Sequence, residues 1–157
     1  MSVRVQTEDF DLGAEVAAIR AGRTDIGGIV SFIGTVRDLN EGDAVSTLTL
    51  EHYPGMTERA LEAIVDEARG RFDILDARVV HRIGRLAPGD QIVLVITVST
   101  HRGEAFAACE FLMDYLKTRA PFWKKEVTPA GERWVDARES DDDAAARWNC
   151  ADERGAP

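Results

Sequence analysis

The chain carries 19 basic residues, and 16 of them are arginines. The three lysines, Lys117, Lys124 and Lys125, all fall within nine residues of one another. A lysine differs from an arginine in that it can lose its proton, act as a base or accept an acyl group. Two ammonium groups held close together lower each other's proton affinity. That suits a base, an acid or an acyl acceptor working near neutral pH. The lysine cluster is therefore the first candidate site. A second is His101-Arg102, a cationic pair at the start of an apparent helix. Cations there oppose the helix dipole, and the arrangement makes sense where an anion shares the space with free backbone N–H groups. A third is Arg37, which opens a polar loop after a buried strand, a common place for a ligand contact. Arginine is the usual bidentate partner of phosphate.

Periodicity supplies the elements that must position these groups. Val3 to Gln6 reads as a short edge strand. Phe10 to Ala21 reads as a helix, capped by Asp9 or Asp11 and closed by Gly22. Gly27 to Val36 is a buried strand whose glycines signal bulges or close backbone approach. Arg37 to Ala44 is a polar loop. Ser46 to Tyr53 alternates as a strand, with Leu48, Leu50 and His52 on one face. Thr57 is the expected cap of a second helix reaching about Phe72, with Leu61, Ile64, Val65 and Ala68 on its apolar stripe. Ala77 to Arg82 is a strand, Leu86 to Asp90 a turn, and Gln91 to Ser99 the central strand. Gly103 to Leu116 is a third helix, with Ser99 or Thr100 as cap and Phe106, Cys109, Met113 and Leu116 on one stripe. Pro121 interrupts the chain. Phe122 to Val127 is then extended, with Phe122, Lys124 and Glu126 on one face and Trp123, Lys125 and Val127 on the other. Only one of Lys124 and Lys125 can share a pocket with Lys117. Glu132 to Asp136 is a further short strand, and the tail after Glu139 is acidic and rich in small residues, and mobile at its end. The order of elements predicts an α+β fold, not a doubly wound parallel sheet.

The remaining residues exclude several classes. At 157 residues the chain makes one domain. No apolar run approaches a membrane span, and the N-terminus lacks the apolar core of a signal peptide. A net charge of −9 argues against a nucleic-acid binder. Cys109 and Cys150 are the only cysteines, and they read as reduced thiols of a cytoplasmic protein. Cys109 belongs to an apolar stripe, and neither cysteine is placed as a nucleophile. His52 and His81 lie within strands and read as structural histidines. No zinc spacing, Walker A, GxGxxG or GxSxG pattern occurs, so neither a metal nor a cofactor is expected. What remains is an acidic α+β domain with one basic, lysine-bearing pocket suited to a small phosphorylated anion.

Four segments carry a resemblance. They are Leu50-Glu51-His52-Tyr53-Pro54-Gly55-Met56-Thr57, Ile83-Gly84 with Pro88-Gly89-Asp90, His101-Arg102, and the long stretch from Met113 to Glu126 (MDYLKTRAPFWKKE). In this order they resemble the catalytic (large) subunit family of molybdopterin synthase, over about Gly28 to Trp148. The resemblance implies an α/β-hammerhead fold with additional antiparallel strands. It implies a homodimer at the centre of a heterotetramer, each subunit binding a small ubiquitin-like sulfur carrier. The carrier's C-terminal Gly-Gly thiocarboxylate would enter a pocket, and sulfur would pass to cyclic pyranopterin monophosphate to form a dithiolene. Sulfur would thus arrive already activated, without a cysteine nucleophile.

By the same resemblance Lys117 and Lys124 are the catalytic lysines. Arg37, His101 and Arg102 match contacts to the substrate phosphate and pterin, Lys125 and Glu126 flank the site, and Thr35-Val36 lines the approach to Arg37. Some relatives have lysine in place of Thr35. Arg138 matches a position reaching the neighbouring subunit's pocket. Residues 1–148 are expected as the domain and 149–157 as a mobile C-terminal tail with no family role. The alternative is a non-catalytic module of the same fold that binds the carrier or a phosphorylated ligand. A scaffold of that kind would lack the lysines. A metal-dependent phosphohydrolase is a further rival, and it would need bound metal.

Overall fold

The central strand of the molecule is apolar at nearly every position because both of its faces are covered. In the computed structural model, which describes residues 3–40, 42–135 and 139–155, this strand is β8 (Gln91–Ser99). It lies between β6 (Asp76–Arg82) and β2 (Gly28–Thr35), antiparallel to both, and β1 (Val3–Gln6) adds to β6 in parallel. Val93 and Val95 face one side, where α2 (Met56–Arg71) and α3 (Arg102–Arg119) supply Leu61, Ile64, Val65, Phe111 and Leu112. Leu94, Ile96 and Val98 face the other, against Ile19 of α1 (Leu12–Arg20) and Phe10. A strand buried on both faces reads as a continuous apolar run, as this one does.

A second, wholly antiparallel sheet has the order β10 (Gly131–Val135), β9 (Phe122–Thr128), β5 (Thr47–His52), β7 (Gly84–Leu86). Leu48, Leu50 and Leu86 from this sheet meet Val36 and Ile92 in a smaller core that joins the two sheets. The α+β class follows from the sequence order as expected, and the second sheet supplies the additional antiparallel strands.

Of the two expected caps of α1, Asp11 is the one used, its carboxylate accepting from Ala14 N. Other local expectations are corrected. The cap of α2 is Gly55, at φ 83°, whose N–H donates to Glu58. Thr57 instead lies inside, fully buried. Its hydroxyl accepts from Tyr53 N and donates to Pro121 O, each at 3.0 Å. At α3 the cap is His101, while Ser99 Oγ accepts from the His101 N–H at 3.1 Å and donates to Asp73 O at 2.7 Å. Phe106 is 62 % exposed, so the apolar stripe of α3 does not include it. The polar loop contains a short hairpin, β3 (Leu39–Asn40) and β4 (Asp43–Ala44).

The largest departure is α4 (Glu139–Gly155), which occupies the segment read as an acidic tail. The boundary placed before Asn149 falls inside this helix. Packing explains it. The Trp148 ring sits edge-on between Phe72 and Phe111, its Nε1 donates to Asp114 at 2.7 Å, and its carbonyl accepts from Arg71 at 2.9 Å.

Candidate active site

Pro121 creates the site by ending one element and starting another. The residue before a proline is driven out of the helical region, and Ala120 is extended, with ψ 128°. The chain leaves α3 there and enters β9. The Thr57 hydroxyl bonded to Pro121 O ties this bend to the start of α2. Lys117, in the last turn of α3, and Lys124, the third residue of β9, therefore reach one cavity from two elements.

The cavity has a volume of about 280 Å³. Phe122, Lys124 and Glu126 line it, as the strand alternation requires, together with Thr35, Val36, Arg37 and Lys117. Phe32, Met113 and Leu116 add apolar wall, and Asp141 of α4 adds a carboxylate. The register of β2 against β8 shifts between Gly34 and Thr35. Such a shift re-aims the residues that follow it, here Thr35 to Arg37. Val36 is then fixed by its N–H to Asp90 O at 2.9 Å and by Gly89 N to its own carbonyl at 2.8 Å. Three cations thus meet in a strongly acidic chain. Glu126, one of the carboxylates lining the cavity, is itself paired with Arg133 at 3.2 Å. The cavity favours an anion.

Lys125 lies on the opposite face of β9. Its Nζ is 3.6 Å from Glu132 and 5.6 Å from the Trp134 ring. Trp123, on the same face, meets Tyr53 edge-on at 4.4 Å.

His101 and Arg102 stand at the other end of α3 and do not line the cavity. Arg102 is 15 residues from Lys117 along one helix, about 22 Å at the α-helical rise. Gly27 allows this end to approach the start of β2: a side chain there would fall 1.8 Å from Thr100 O. Arg138 lies outside the described residues.

Sequence reasoning passed over His81, Asn40 and Arg133. His81 is buried and lines the cavity, stacked on Phe122 at 3.8 Å between ring centres. Its Nδ1 donates to Arg82 O at 2.8 Å, which leaves Nε2 as an acceptor. Burial, then the charges of Lys124, Lys117 and His52, push its pKa down to about 3, so the ring stays neutral. The available signal was parity: His81 lies two residues from Val79, on the α2–α3 side of β6. Cys109 is buried, and burial pushes its thiol up to about 11, which disables it as a nucleophile. Among the described residues no group of three or more His, Cys, Asp or Glu could hold a metal ion, and no helix is long and apolar enough to cross a membrane.

Known proteins resemble this arrangement closely. The molybdopterin synthase catalytic subunit of Ralstonia nicotianae is 67% identical over 147 residues, covering 94% of this chain and 84% of that protein. The molybdopterin biosynthesis MoaE protein of Burkholderia ambifaria superposes with a TM-score of 0.81 at 63% identity, covering 94% of this chain and 97% of that one. The crystal structure of molybdopterin synthase from Staphylococcus aureus gives a TM-score of 0.76 at 31% identity, over 84% and 95% of the two chains. The family model described as MoaE protein matches residues 5–119. With that match running from the first strand to the last turn of the lysine-bearing helix, the chain belongs to the MoaE protein family.

Proposed function

We propose that this chain is the catalytic subunit of a molybdopterin synthase. It passes two sulfurs, one from the thiocarboxylated C-terminus of each of two small ubiquitin-like carriers, to cyclic pyranopterin monophosphate, forming the dithiolene of molybdopterin. Water cleaves each acyl–sulfur bond, and each carrier leaves as its carboxylate. The observation that carries the reading is the convergence of Lys117 and Lys124, with Arg37, on one cavity. The name "catalytic subunit" borne by the Ralstonia relative implies a second kind of subunit, and the carrier fills that place.

The chemistry follows from the residues. Arg37 supplies charge-assisted donors to the substrate phosphate. Lys117 and Lys124 move protons on the thiocarboxylate and the pterin as sulfur is transferred. A cavity of about 280 Å³ between helix and strand suits a diglycine tail, whose backbone can approach closely. No protein thiol is needed, because the carrier brings sulfur already activated. A cytoplasmic location belongs to the same proposal, in keeping with the free buried thiol of Cys109.

His101 and Arg102 bind the same substrate in this reading, and the length of α3 decides how. Held about 22 Å from Lys117, they cannot reach its cavity within one chain. They serve the cavity of a second copy, so the working unit is a homodimer carrying two carriers. The cross-subunit role of Arg138 is part of this proposal.

The test mixes the purified protein with thiocarboxylated carrier and cyclic pyranopterin monophosphate. Dithiolene product is followed by oxidation to its fluorescent derivative. Product from the parent and almost none from Lys117→Ala and Lys124→Ala supports the reading. A folded dimer that binds the carrier and makes no product overturns it in favour of a binding module.

A further inference from the structure

Resting on the sulfur-transfer reading, we propose that Glu126 is a positioning residue. Its buried carboxylate fastens the segment carrying Arg37 to the strand carrying Lys124.

Arg37, Asp38 and Leu39 are exposed, but the residues on either side, Val36 and Asn40, are buried. Arg37 is thus the start of a short arch held at two feet. The Val36 foot is tied by backbone hydrogen bonds to Gly89 and Asp90. The Asn40 foot is tied by a side-chain network. Asn40 Nδ2 donates to Glu126 Oε1 at 2.7 Å, and Arg133 donates to Asn40 O at 3.2 Å. Arg133 Nε also donates to Glu126 Oε2 at 3.2 Å. Both carboxylate oxygens are therefore engaged within the protein.

A carboxylate lining a phosphate-binding cavity would repel its substrate. Here Arg133 offsets that charge, and the carboxylate accepts a charge-assisted bond, stronger than a neutral amide would offer. Alternation places Glu126 two residues from Lys124 on the same strand face, about 7 Å along β9. The same side chain that holds the arch thus sits beside a catalytic lysine, and it sets the spacing between the phosphate contact and the acid–base group.

The experiment compares Asn40→Ala, Glu126→Ala, the double variant and Glu126→Gln. It uses steady-state kinetics with carrier and pterin, and amide hydrogen exchange over Arg37 to Asn40 in the unliganded protein. Each single alanine variant is expected to raise KM for the pterin about tenfold and to leave kcat within about threefold. The double variant is expected to match the singles, as for two ends of one contact. Glu126→Gln, which keeps an acceptor for Asn40, is expected to recover most of the loss. Exchange over the arch should quicken in both alanine variants.

A raised KM in Glu126→Ala with parent-like kinetics and exchange in Asn40→Ala would overturn the proposal and make Glu126 a substrate contact. Additive effects would also overturn it, as would loss of kcat together with faster exchange throughout the second sheet. If the parent makes no dithiolene, the sulfur-transfer reading fails alone. Unchanged exchange over the arch in Glu126→Ala then overturns the fastening separately.

Discussion

Lys124 and Lys125 are adjacent, identical in type and borne by one strand, yet they occupy different chemical worlds. Lys124 lines a cavity with Lys117, Arg37 and a stack of His81 on Phe122. Lys125 lies over the Trp134 ring and near Glu132, on a face that also bears the partly exposed Trp123. Residue type therefore does not decide which lysine reaches the cavity. The parity of a β-strand does, together with the proline that fixes where the strand begins.

The sharpest way to break this comparison is to remove one lysine at a time. Lys124→Ala and Lys117→Ala should each lower kcat at least about a hundredfold, the usual worth of a positioned acid or base, as read from the fluorescent derivative. Lys125→Ala should stay within about threefold, since an exposed ion pair contributes little. Equal losses at Lys124 and Lys125 would defeat the parity argument.

A complementation experiment extends the comparison to the two ends of α3. Lys117→Ala and Arg102→Ala chains, each inactive alone, should regain about a quarter of parental activity when co-expressed, because half the dimers are mixed and each keeps one intact site. No recovery would remove the shared site.

A smaller effect concerns the inner face. His81 binds no proton in the folded state until about pH 3, whereas in the unfolded chain it titrates near the ordinary histidine value. The unfolded state thus binds more protons between those values, and stability must fall as pH drops from about 6.5 toward 3. In His81→Phe, which keeps the stack on Phe122, the Tm should fall less steeply over that window, measured by thermal melts against pH. The smallest effect is at the bend. Thr57→Val keeps the shape and leaves Tyr53 N and Pro121 O without the hydroxyl. It should cost about 1–2 kcal/mol in denaturant unfolding.

Regular periods made much of this legible. The two-residue period of β9 separated Lys124 from Lys125, and the unbroken apolar run of β8 announced a strand covered on both faces. Features that depend on what lies across the molecule stayed hidden. The segment of α4 reads as an acidic tail, because its helical state is settled by Trp148 lodging against Phe72 and Phe111, distant in sequence. His81 looked structural because its tautomer and its cavity are set by Arg82 O and Phe122. His101 and Arg102 share a site with Lys117 only through the family resemblance. Only the rigid length of the intervening helix separates them.

The bond between Asn40 and Glu126 joins residues 86 apart in sequence, and this bears on the order in which the molecule is made. During synthesis, at about 5–20 residues per second, Arg37 emerges seconds before the strand that will hold its arch. For most of that interval the nascent chain has Arg37 and neither Lys117 nor Lys124. No fragment released before β9 has joined β5 can hold the arch in place. Activity is therefore a late event in the life of each chain, and a truncated product ending before β9 has neither Lys124 nor the strand that completes the cavity.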